Sequence, residues 1–376
     1  MTGQPLVVLA AGGTGGHVFP AEALANELAR RGCRLAMITD QRGGMLRGAP
    51  EDLAVHRVMA AGMAGKSLAA RLRSAPELAF GTLQARRILK RLAPTVTVGF
   101  GGYASVPTML AAGLAGMQTV IHEQNAVLGR ANRLLAPRAA LIATSFAVCH
   151  GLSPDMLARH VHTGMPVRPE FAAARNVPYR LFTEQESVNL MVLGGSQGAR
   201  VLSEVVPAAV GLLPAAWRRR LRIVQQCRPE DLDAVCATYA AMGVEAELAS
   251  FFDDIPRRMA DAHLLICRSG ASTVAELTAV GRPAIFIPYP HAIDDHQTAN
   301  AQAADEAGAG WLMPQDSLTA QSLAQRLEAL FILSATLEKA AACARAVGTA
   351  EGAIRLADAV LALLPNGDCK DRRNAA

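Results

Sequence analysis

A glycine-rich segment near the start of the chain ends in a histidine. The stretch LVVLAAGGTGGHVFP places four glycines within residues 12–16, between an apolar run and an amphipathic run, and His17 follows them. A turn without Cβ atoms lets a ligand approach the backbone, and the helix after it presents N–H groups to an anion. An imidazole there can take the proton of an attacking hydroxyl. We predict that His17 is a general base; the structural alternative is a histidine bonded to a neighbouring carbonyl.

Three further turns of this kind follow apolar runs, at residues 99–103, 194–198 and 268–273. Four such turns at equivalent places in two halves predict that at least two of them bind a ligand. None is followed by G-K-[ST], which excludes a P-loop. The first turn also lacks G-x-G-x-x-G spacing, because Thr14 or Val18 occupies a required glycine position. An NAD enzyme stays open as an alternative, with Asp40 as the candidate ribose ligand.

Polar residues cluster where other apolar runs end. The segment IHEQNA predicts either a loop network or a sugar contact through Asn125. In RSGASTVAEL, a helix N-terminus at Ser272 and Thr273 is suited to a diphosphate, with Glu276 accepting from ribose hydroxyls; an ordinary helix cap is the alternative. The segment DDHQTAN contains Gln297. If it lies beside the other loops, its polar side chains are suited to hydrogen bonding with sugar hydroxyls. Asp231-x-Asp233 resembles a cation clamp but lies in a helical stretch, so no metal is predicted.

Strands and helices alternate in both halves of the 376-residue chain. Short apolar runs such as LVVLAA and VNLMVL are typical of strands buried on both faces of a parallel sheet. We therefore predict an α/β protein with two doubly wound, Rossmann-like domains, whose strand ends face a cleft that binds the ligand. The predicted domains are residues 1–164 and 165–349. A last helix within 350–364 is expected to pack back on the first domain.

Composition narrows the class of partner. Aromatic residues make up 4% of the chain and the net charge is +5, which argues against nucleic acid. Seven cysteines without a C-x-x-C pair indicate reduced thiols, and no apolar run or basic leader predicts a membrane span or signal peptide. Between Lys66 and Arg91, cations alternate with apolar residues and only Glu77 opposes them. Such a stretch is suited to an anionic membrane surface, although a solvated helix face is the alternative.

Six motifs together resemble the MurG family of N-acetylglucosaminyltransferases: GGTGGHVFPA, GFGGYASVP, HEQNAVLGRANR, GGSQGAR, CRSGASTVAEL and HQTAN, over about Leu6 to Ala350. The resemblance implies a two-domain GT-B fold, UDP-N-acetylglucosamine as donor and undecaprenyl-pyrophosphoryl-muramyl-pentapeptide as acceptor. It implies attack by the acceptor's 4-hydroxyl with inversion, without a metal or other cofactor, at the cytoplasmic face of the bacterial inner membrane.

The resemblance also assigns residues. His17 matches the family's proposed base, while Tyr103 and Glu123 fall on the acceptor side, with Glu123 a possible assistant to His17. Phe252 stands where the family loop that reads uracil often carries isoleucine, and Ser272 and Thr273 face the diphosphate. Two rival functions remain, a UDP-N-acetylglucosamine epimerase and a non-catalytic sugar-nucleotide sensor. The other donor-binding positions implied are Thr14, Gly15, Gly16, Asn125, Arg168, Ser196, Glu276 and Gln297.

Overall fold

The computed structural model describes residues 4–13, 15–41, 48–60, 68–195 and 198–364, with residues 68–74 described as backbone only. Thr14, Ser196, Lys66 and the side chains of Arg71 and Arg73 therefore lie outside the described residues. The chain divides into two compact units. Unit 1 comprises the described residues of Met1–Arg168 and Glu351–Ala376, and unit 2 comprises Pro169–Ala350.

Unit 1 is a parallel α/β layer structure. Its described strands form one sheet in the order β3-β2-β1-β4-β5-β6-β7. The strands are β1 Leu6–Ala10, β2 Arg34–Thr39, β3 Ala54–Arg57, β4 Val96–Gly99, β5 Gln118–Glu123, β6 Leu141–Thr144 and β7 His160–His162. The helices are α1 Gly15–Arg30, α2 Leu68–Leu92, α3 Gly102–Leu114, α4 Arg130–Leu135 and α5 Pro154–Leu157.

Unit 2 repeats this architecture. Its described strands form a second parallel sheet, in the order β10-β9-β8-β11-β12-β13. These strands are β8 Val188–Leu193, β9 Leu221–Gln226, β10 Glu245–Ala249, β11 Leu264–Cys267, β12 Ala284–Phe286 and β13 Gly310–Leu312. The helices are α6 Pro169–Ala174, α7 Arg200–Leu212, α8 Ala215–Arg218, α9 Leu232–Ala241, α10 Ile255–Asp261, α11 Ala271–Val280, α12 His296–Glu306, α13 Ala320–Ile332 and α14 Ala335–Val347.

The chain then returns to unit 1 as α15, Gly352–Leu361. Its residues Leu356, Ala357 and Val360 are fully buried and belong to the apolar cluster that contains β1 and α1. Arg31, just after α1, donates hydrogen bonds to Asp358 and to the carbonyl of Ile354. The last helix is therefore part of the core of unit 1.

Apolar stripes explain how helices cover each sheet. In α1, the residues predicted to face the core, Ala21, Leu24, Ala25 and Leu28, are all fully buried. β1 and β4 are buried along their whole length, as expected of central strands covered on both faces. The same principle places α7 and α13 over the sheet of unit 2, where Leu202, Val206, Leu323 and Leu327 lie in one cluster with β8.

Each sheet has one point where the strand order reverses, between β1 and β4 in unit 1 and between β8 and β11 in unit 2. Ligands of open α/β sheets bind beyond the carboxyl ends of the strands at such a point. All four turns singled out in the sequence leave from these four strands. The fold therefore brings two turns together in each unit.

Two features differ from the sequence-based expectation. The pattern Ser74-x-x-Glu77, with Pro76 between, is typical of a helix start and predicts one there, but α2 begins at Leu68 and runs through Pro76. A proline removes one main-chain donor, and a helix of this length continues despite that loss. The division between the units follows Arg168, four residues after the predicted boundary. The reason is that Met165 and Val167 are buried, and Gly352 of α15 fits closely against the carbonyl of Met165.

The described helices include none that is long and apolar enough to cross a membrane.

Candidate active site

His17 lies in the first turn of α1, at the reversal point of unit 1. Its Nδ1 is 2.9 Å from the carbonyl oxygen of Phe100, the residue that follows β4, and 3.2 Å from Oε1 of Gln124. A carbonyl oxygen only accepts hydrogen bonds, so Nδ1 carries the hydrogen of the neutral ring. Proton acceptance then falls to Nε2. The predicted carbonyl bond and the predicted role as a base are thus compatible, because they use different ring nitrogens.

Gly102 provides the surface against which the His17 ring rests. Its φ is +67°, in the left-handed region that favours glycine, and a Cβ at this position would lie 3.0 Å from His17 Cδ2 and 3.2 Å from Nε2. The turn after β4 therefore needs glycine for two reasons, its backbone conformation and the space taken by the ring. Tyr103, the next residue, is half-buried in the first turn of α3.

The carboxylate of Glu123 organises the turn after β5. It is 2% exposed and accepts hydrogen bonds from the backbone N–H of Asn125 at 2.9 Å and of Gly129 at 2.9 Å. The side-chain amides of Asn132, at 2.8 Å, and of Asn125, at 3.2 Å, donate to the same carboxylate. Both oxygens are thus engaged within the loop, which gives Glu123 a positioning role and leaves the half-buried Asn125 at the edge of the site.

His122 and Gln124 lie behind His17 and are buried. Burial lowers the pKa of His122 to about 4, so this ring is neutral near pH 7. Gln124 contacts both histidines, since its Oε1 faces His17 and its Nε2 lies 3.2 Å from Nδ1 of His122.

In unit 2, side-chain hydrogen bonds hold the turn after β11 in place. Arg268 is buried and donates to the carbonyls of Ile287, at 3.0 Å, and Pro288, at 2.8 Å. Burial lowers the pKa of its guanidinium. Ser269 donates from Oγ to the carbonyl of Gln297 at 2.8 Å, and Asn300 donates to the carbonyl of Ser269 at 3.0 Å. These bonds join the starts of α11 and α12.

The N-terminus of α11 presents backbone donors. Gly270 is its N-cap residue, and among the described residues no side chain caps the first turn. Ser272, Thr273 and Glu276 are half-buried there. The first N–H groups of a helix and its dipole form an anion site, so this end of α11 suits a diphosphate.

Gln297 lies in the first turn of α12, and its Oε1 accepts a hydrogen bond from the backbone N–H of Tyr289 at 3.0 Å. Its position beside the start of α11 follows from the bond between its own carbonyl and Ser269. Gln297 and Glu276 are thus carried by adjacent helices.

Known proteins match both units. The model of the glycosyltransferase family 28 N-terminal domain matches residues 7–144, and that of the C-terminal domain matches residues 189–356. A protein of Paramagnetospirillum magneticum is 58% identical over 97% of this chain and 98% of its own length, and one of Rhodospirillum rubrum is 57% identical over 95% and 91%. Both are named UDP-N-acetylglucosamine–N-acetylmuramyl-(pentapeptide) pyrophosphoryl-undecaprenol N-acetylglucosamine transferase. The chain belongs to the MurG family of glycosyltransferases.

Solved structures agree with this assignment. The crystal structure of MurG from Acinetobacter baumannii has a TM-score of 0.78 at 30% identity, covering 95% of this chain and 99% of that one. The fold is therefore GT-B, with two Rossmann-like units, as predicted. The UDP-GlcNAc 2-epimerase of Neisseria meningitidis has a TM-score of 0.66 at 12% identity, covering 96% and 100%, which shows a shared fold alone. The epimerase alternative is not favoured, and the NAD alternative has no support.

In this MurG-family chain, two further predicted donor-binding residues pack against other side chains. The guanidinium of Arg168 lies 4.7 Å from the ring centroid of Phe19, also in unit 1. Phe252 is 6% exposed, with the guanidinium of Arg258 at 4.5 Å from its ring. The side chain of Phe252 is therefore buried, whereas the adjacent Phe251 is 68% exposed.

Two observations bear on metal binding. Within the described residues, no group of three or more histidine, cysteine, aspartate or glutamate side chains is arranged to hold a metal ion. Asp231 of the D-x-D pair accepts two hydrogen bonds from Arg228, at 2.8 and 2.9 Å, so both of its carboxylate oxygens are engaged within the protein.

Sequence reasoning assigned no role to two contributors to the site, Gln124 and Gly102. Both stand inside quoted motifs, but a sequence motif does not say which atom of one loop meets which atom of another. The four consecutive polar residues of IHEQNA were the available signal for Gln124.

Proposed function

We propose that this protein transfers N-acetylglucosamine from UDP-N-acetylglucosamine to the 4-hydroxyl of undecaprenyl-pyrophosphoryl-N-acetylmuramyl-pentapeptide, with inversion at the anomeric carbon. Family membership at up to 58% identity over nearly the full chain supports the reaction class and both substrates. The observation that carries the proposal is the orientation of His17. Its Nδ1 donates within the protein, so Nε2 is the nitrogen that takes a proton.

The base acts on the acceptor. As the 4-hydroxyl oxygen attacks the anomeric carbon, His17 Nε2 takes the hydroxyl proton, and the bond from that carbon to the β-phosphate oxygen breaks. One C–O bond forms and one breaks on opposite faces of the carbon, which inverts its configuration. A placed imidazole contributes about 10²–10⁴-fold to such a step.

The leaving group is UDP, which gains negative charge as the bond breaks. The uncapped N-terminus of α11 supplies N–H donors and a positive dipole end for that charge. Ser272 and Thr273 add hydroxyl donors, while Glu276 and Gln297 accept from sugar hydroxyls. We propose that these fixed dipoles replace a metal ion, so that the reaction needs no cofactor.

The proposal is tested with purified protein, UDP-N-acetylglucosamine and a polyprenyl-linked muramyl-pentapeptide pyrophosphate. UDP release that requires both substrates and continues in EDTA is the expected result. Formation of the 2-epimer without acceptor would support the epimerase instead. Binding of the donor with no consumption in the presence of acceptor would indicate a sensor, and loss of activity in EDTA would overturn the cofactor-free reaction.

We further propose that α2 docks unit 1 on the anionic cytoplasmic face of the inner membrane, where the acceptor's lipid tail lies. Phe80 and Leu83 are 50% and 45% exposed, and the exposed cations of α2 follow at helical spacing on the same side. Ala85 and Leu89, on the opposite side, are buried. An exposed face of apolar residues and cations is typical of an interfacial helix. The cations are Arg86, Arg87, Lys90 and Arg91.

Sedimentation with phospholipid vesicles distinguishes binding through α2 from a general effect of the protein's net charge. Changing Arg86, Arg87, Lys90 and Arg91 to serine should weaken binding to vesicles that contain anionic phospholipid and leave binding to neutral vesicles unaltered. A matched control removes four exposed cations of unit 2, and it should bind like the wild type. If both variants bind anionic vesicles equally weakly, net charge alone explains the loss of binding, and the role of α2 is overturned. The control residues are Arg219, Arg257, Arg326 and Lys339.

A further inference from the structure

His122 is held in one tautomer by the protein around it. The ring is fully buried, and its Nε2 lies 3.3 Å from the carbonyl oxygen of Gly164. Because a carbonyl only accepts, the hydrogen of the neutral ring is on Nε2 and the lone pair is on Nδ1. Burial holds the pKa of His122 at about 4, so the ring remains neutral under the conditions in which the enzyme works.

The amide of Gln124 has one allowed orientation. Its Nε2 lies 2.8 Å from the carbonyl of Phe100, 3.1 Å from the carbonyl of His122 and 3.2 Å from the Nδ1 lone pair of His122. All three groups are acceptors, so the NH₂ end of the amide must face them. A flipped amide would set oxygen against oxygen at the Phe100 carbonyl. The amide oxygen therefore points the other way.

That oxygen faces the catalytic histidine. Oε1 of Gln124 and the carbonyl of Phe100 are both within 3.2 Å of His17 Nδ1. Two acceptors converge on one nitrogen, which stabilises the tautomer with hydrogen on Nδ1. In the other tautomer Nδ1 would present a lone pair to two oxygen atoms, and Nε2 would carry a hydrogen and be unable to take a proton.

We propose that Gln124 is a positioning residue that fixes the reactive tautomer of His17 and that His122 fixes the orientation of Gln124. The inference rests on the proposed role of His17 as the base. It adds that the half-buried imidazole of His17 and the buried imidazole of His122 hold opposite tautomers, with hydrogen on Nδ1 in His17 and on Nε2 in His122. An amide does this without a negative charge, so it orients the base without favouring its protonated form.

The tautomers are measured directly by two-bond ¹H–¹⁵N correlation NMR on full-length protein labelled with ¹⁵N-histidine, near neutral pH. The signals are assigned by their loss in His17→Asn and His122→Phe. The wild type should show the Nδ1–H pattern for His17 and the Nε2–H pattern for His122. The same tautomer in both rings, or Nε2–H in His17, would overturn the proposal without any further variant.

Gln124→Met keeps the length of the side chain and removes both hydrogen-bonding groups. We expect mixed tautomers at His17, a kcat about tenfold lower and an unchanged KM for UDP-N-acetylglucosamine. The matched control is Thr119→Val on β5, the strand that ends just before Gln124; it removes one hydroxyl hydrogen bond to the carbonyl of Arg138 at 3.3 Å. It should keep the wild-type tautomers and kcat.

The outcomes separate this inference from the proposed function. An Nδ1–H signal retained in Gln124→Met, with wild-type kcat, overturns the role of Gln124. Mixed tautomers with wild-type kcat support the positioning and instead remove His17 as the base, as would full turnover in His17→Asn. A lower kcat with the tautomer unchanged would mean that Gln124 acts through something other than His17, which also overturns the inference.

Discussion

The reversal points of the two sheets are built from different parts. In unit 1, the turns after β1 and β5 present side chains that other side chains hold, since Gln124 contacts His17 and Glu123 accepts from Asn125. In unit 2, the turn after β11 presents the backbone at the start of α11, and its side chains brace the loop from behind. One fold thus provides two kinds of chemistry.

The difference follows from what each ligand group needs. A proton moves along one direction to one atom, so a base is effective only when its ring and tautomer are fixed. A diphosphate spreads charge over several oxygens, and a set of backbone dipoles receives it without any one side chain being decisive. We therefore expect single substitutions to have larger effects in unit 1 than in unit 2.

The largest expected effect is that of His17→Asn. It removes the proton acceptor, so kcat should fall about 10²–10⁴-fold while UDP-N-acetylglucosamine binding, measured by calorimetry, stays unchanged. His150→Asn is the control, because that side chain is exposed in the same unit. Weaker donor binding in His17→Asn would contradict the division of tasks between the units.

The second prediction concerns the stability of the protein at acidic pH. Burial depresses the pKa of His122 from 6.5 to about 4, so the unfolded chain binds a proton in this interval that the folded protein does not. The contribution of His122 to stability is complete above pH 6.5 and declines as the pH falls, by about 3 kcal/mol in all. Urea unfolding across this range should show a shallower pH dependence in His122→Phe than in wild type or His150→Asn. Identical slopes would refute it.

The third prediction separates stability from binding at α11. Ser272→Asp adds a negative charge at an uncapped helix start, which should stabilise the protein by about 0.3–1 kcal/mol and lower UDP affinity about tenfold by repulsion. Thr336→Asp places the same charge at the same position of α14 and should raise the melting temperature without changing UDP affinity. If both variants bind UDP like the wild type, α11 does not hold the diphosphate.

The smallest expected effect compares two glycines with similar backbone angles. Gly102 and Gly116 have φ of +67° and +70°, but a Cβ at Gly116 would have nothing within 4 Å, whereas at Gly102 it would meet His17. Each change to alanine should cost about 1–2 kcal/mol of stability. Only Gly102→Ala should also lower kcat, about fivefold, because it displaces the base. Equal kcat in the two variants would show that the ring tolerates the displacement.

The sequence predicted central strands well and edge strands poorly. RLAMIT and VNLMVL coincide with β2 and β8, since a strand covered on both faces needs a continuous apolar run. The strands missed, β3, β7, β10 and β13, are the edges of the two described sheets. Segments such as AVHR in β3 and EAELA in β10 contain no buried residue, so burial does not mark them in the sequence.

The candidate site was also only partly predictable from the sequence. Glycines after strands predicted where ligands bind, because a ligand can come close to the backbone only where no Cβ intrudes. The residues that orient His17 were not predictable, because Gln124 lies 107 positions away and the contact depends on β1, β4 and β5 being neighbours. The roles of Asn125, Arg168, Glu276 and Gln297 toward the donor stay predictions.

The return of α15 to unit 1 affects how the protein is made. Leu356, Ala357 and Val360 complete a core whose other strands and helices are translated first. While the ribosome is still synthesising unit 2, the part of this apolar cluster that α15 will cover is open to chaperones or to other nascent chains. A premature stop codon shortly before residue 351 would therefore spare every motif named above and still leave the N-terminal half with an exposed, aggregation-prone surface.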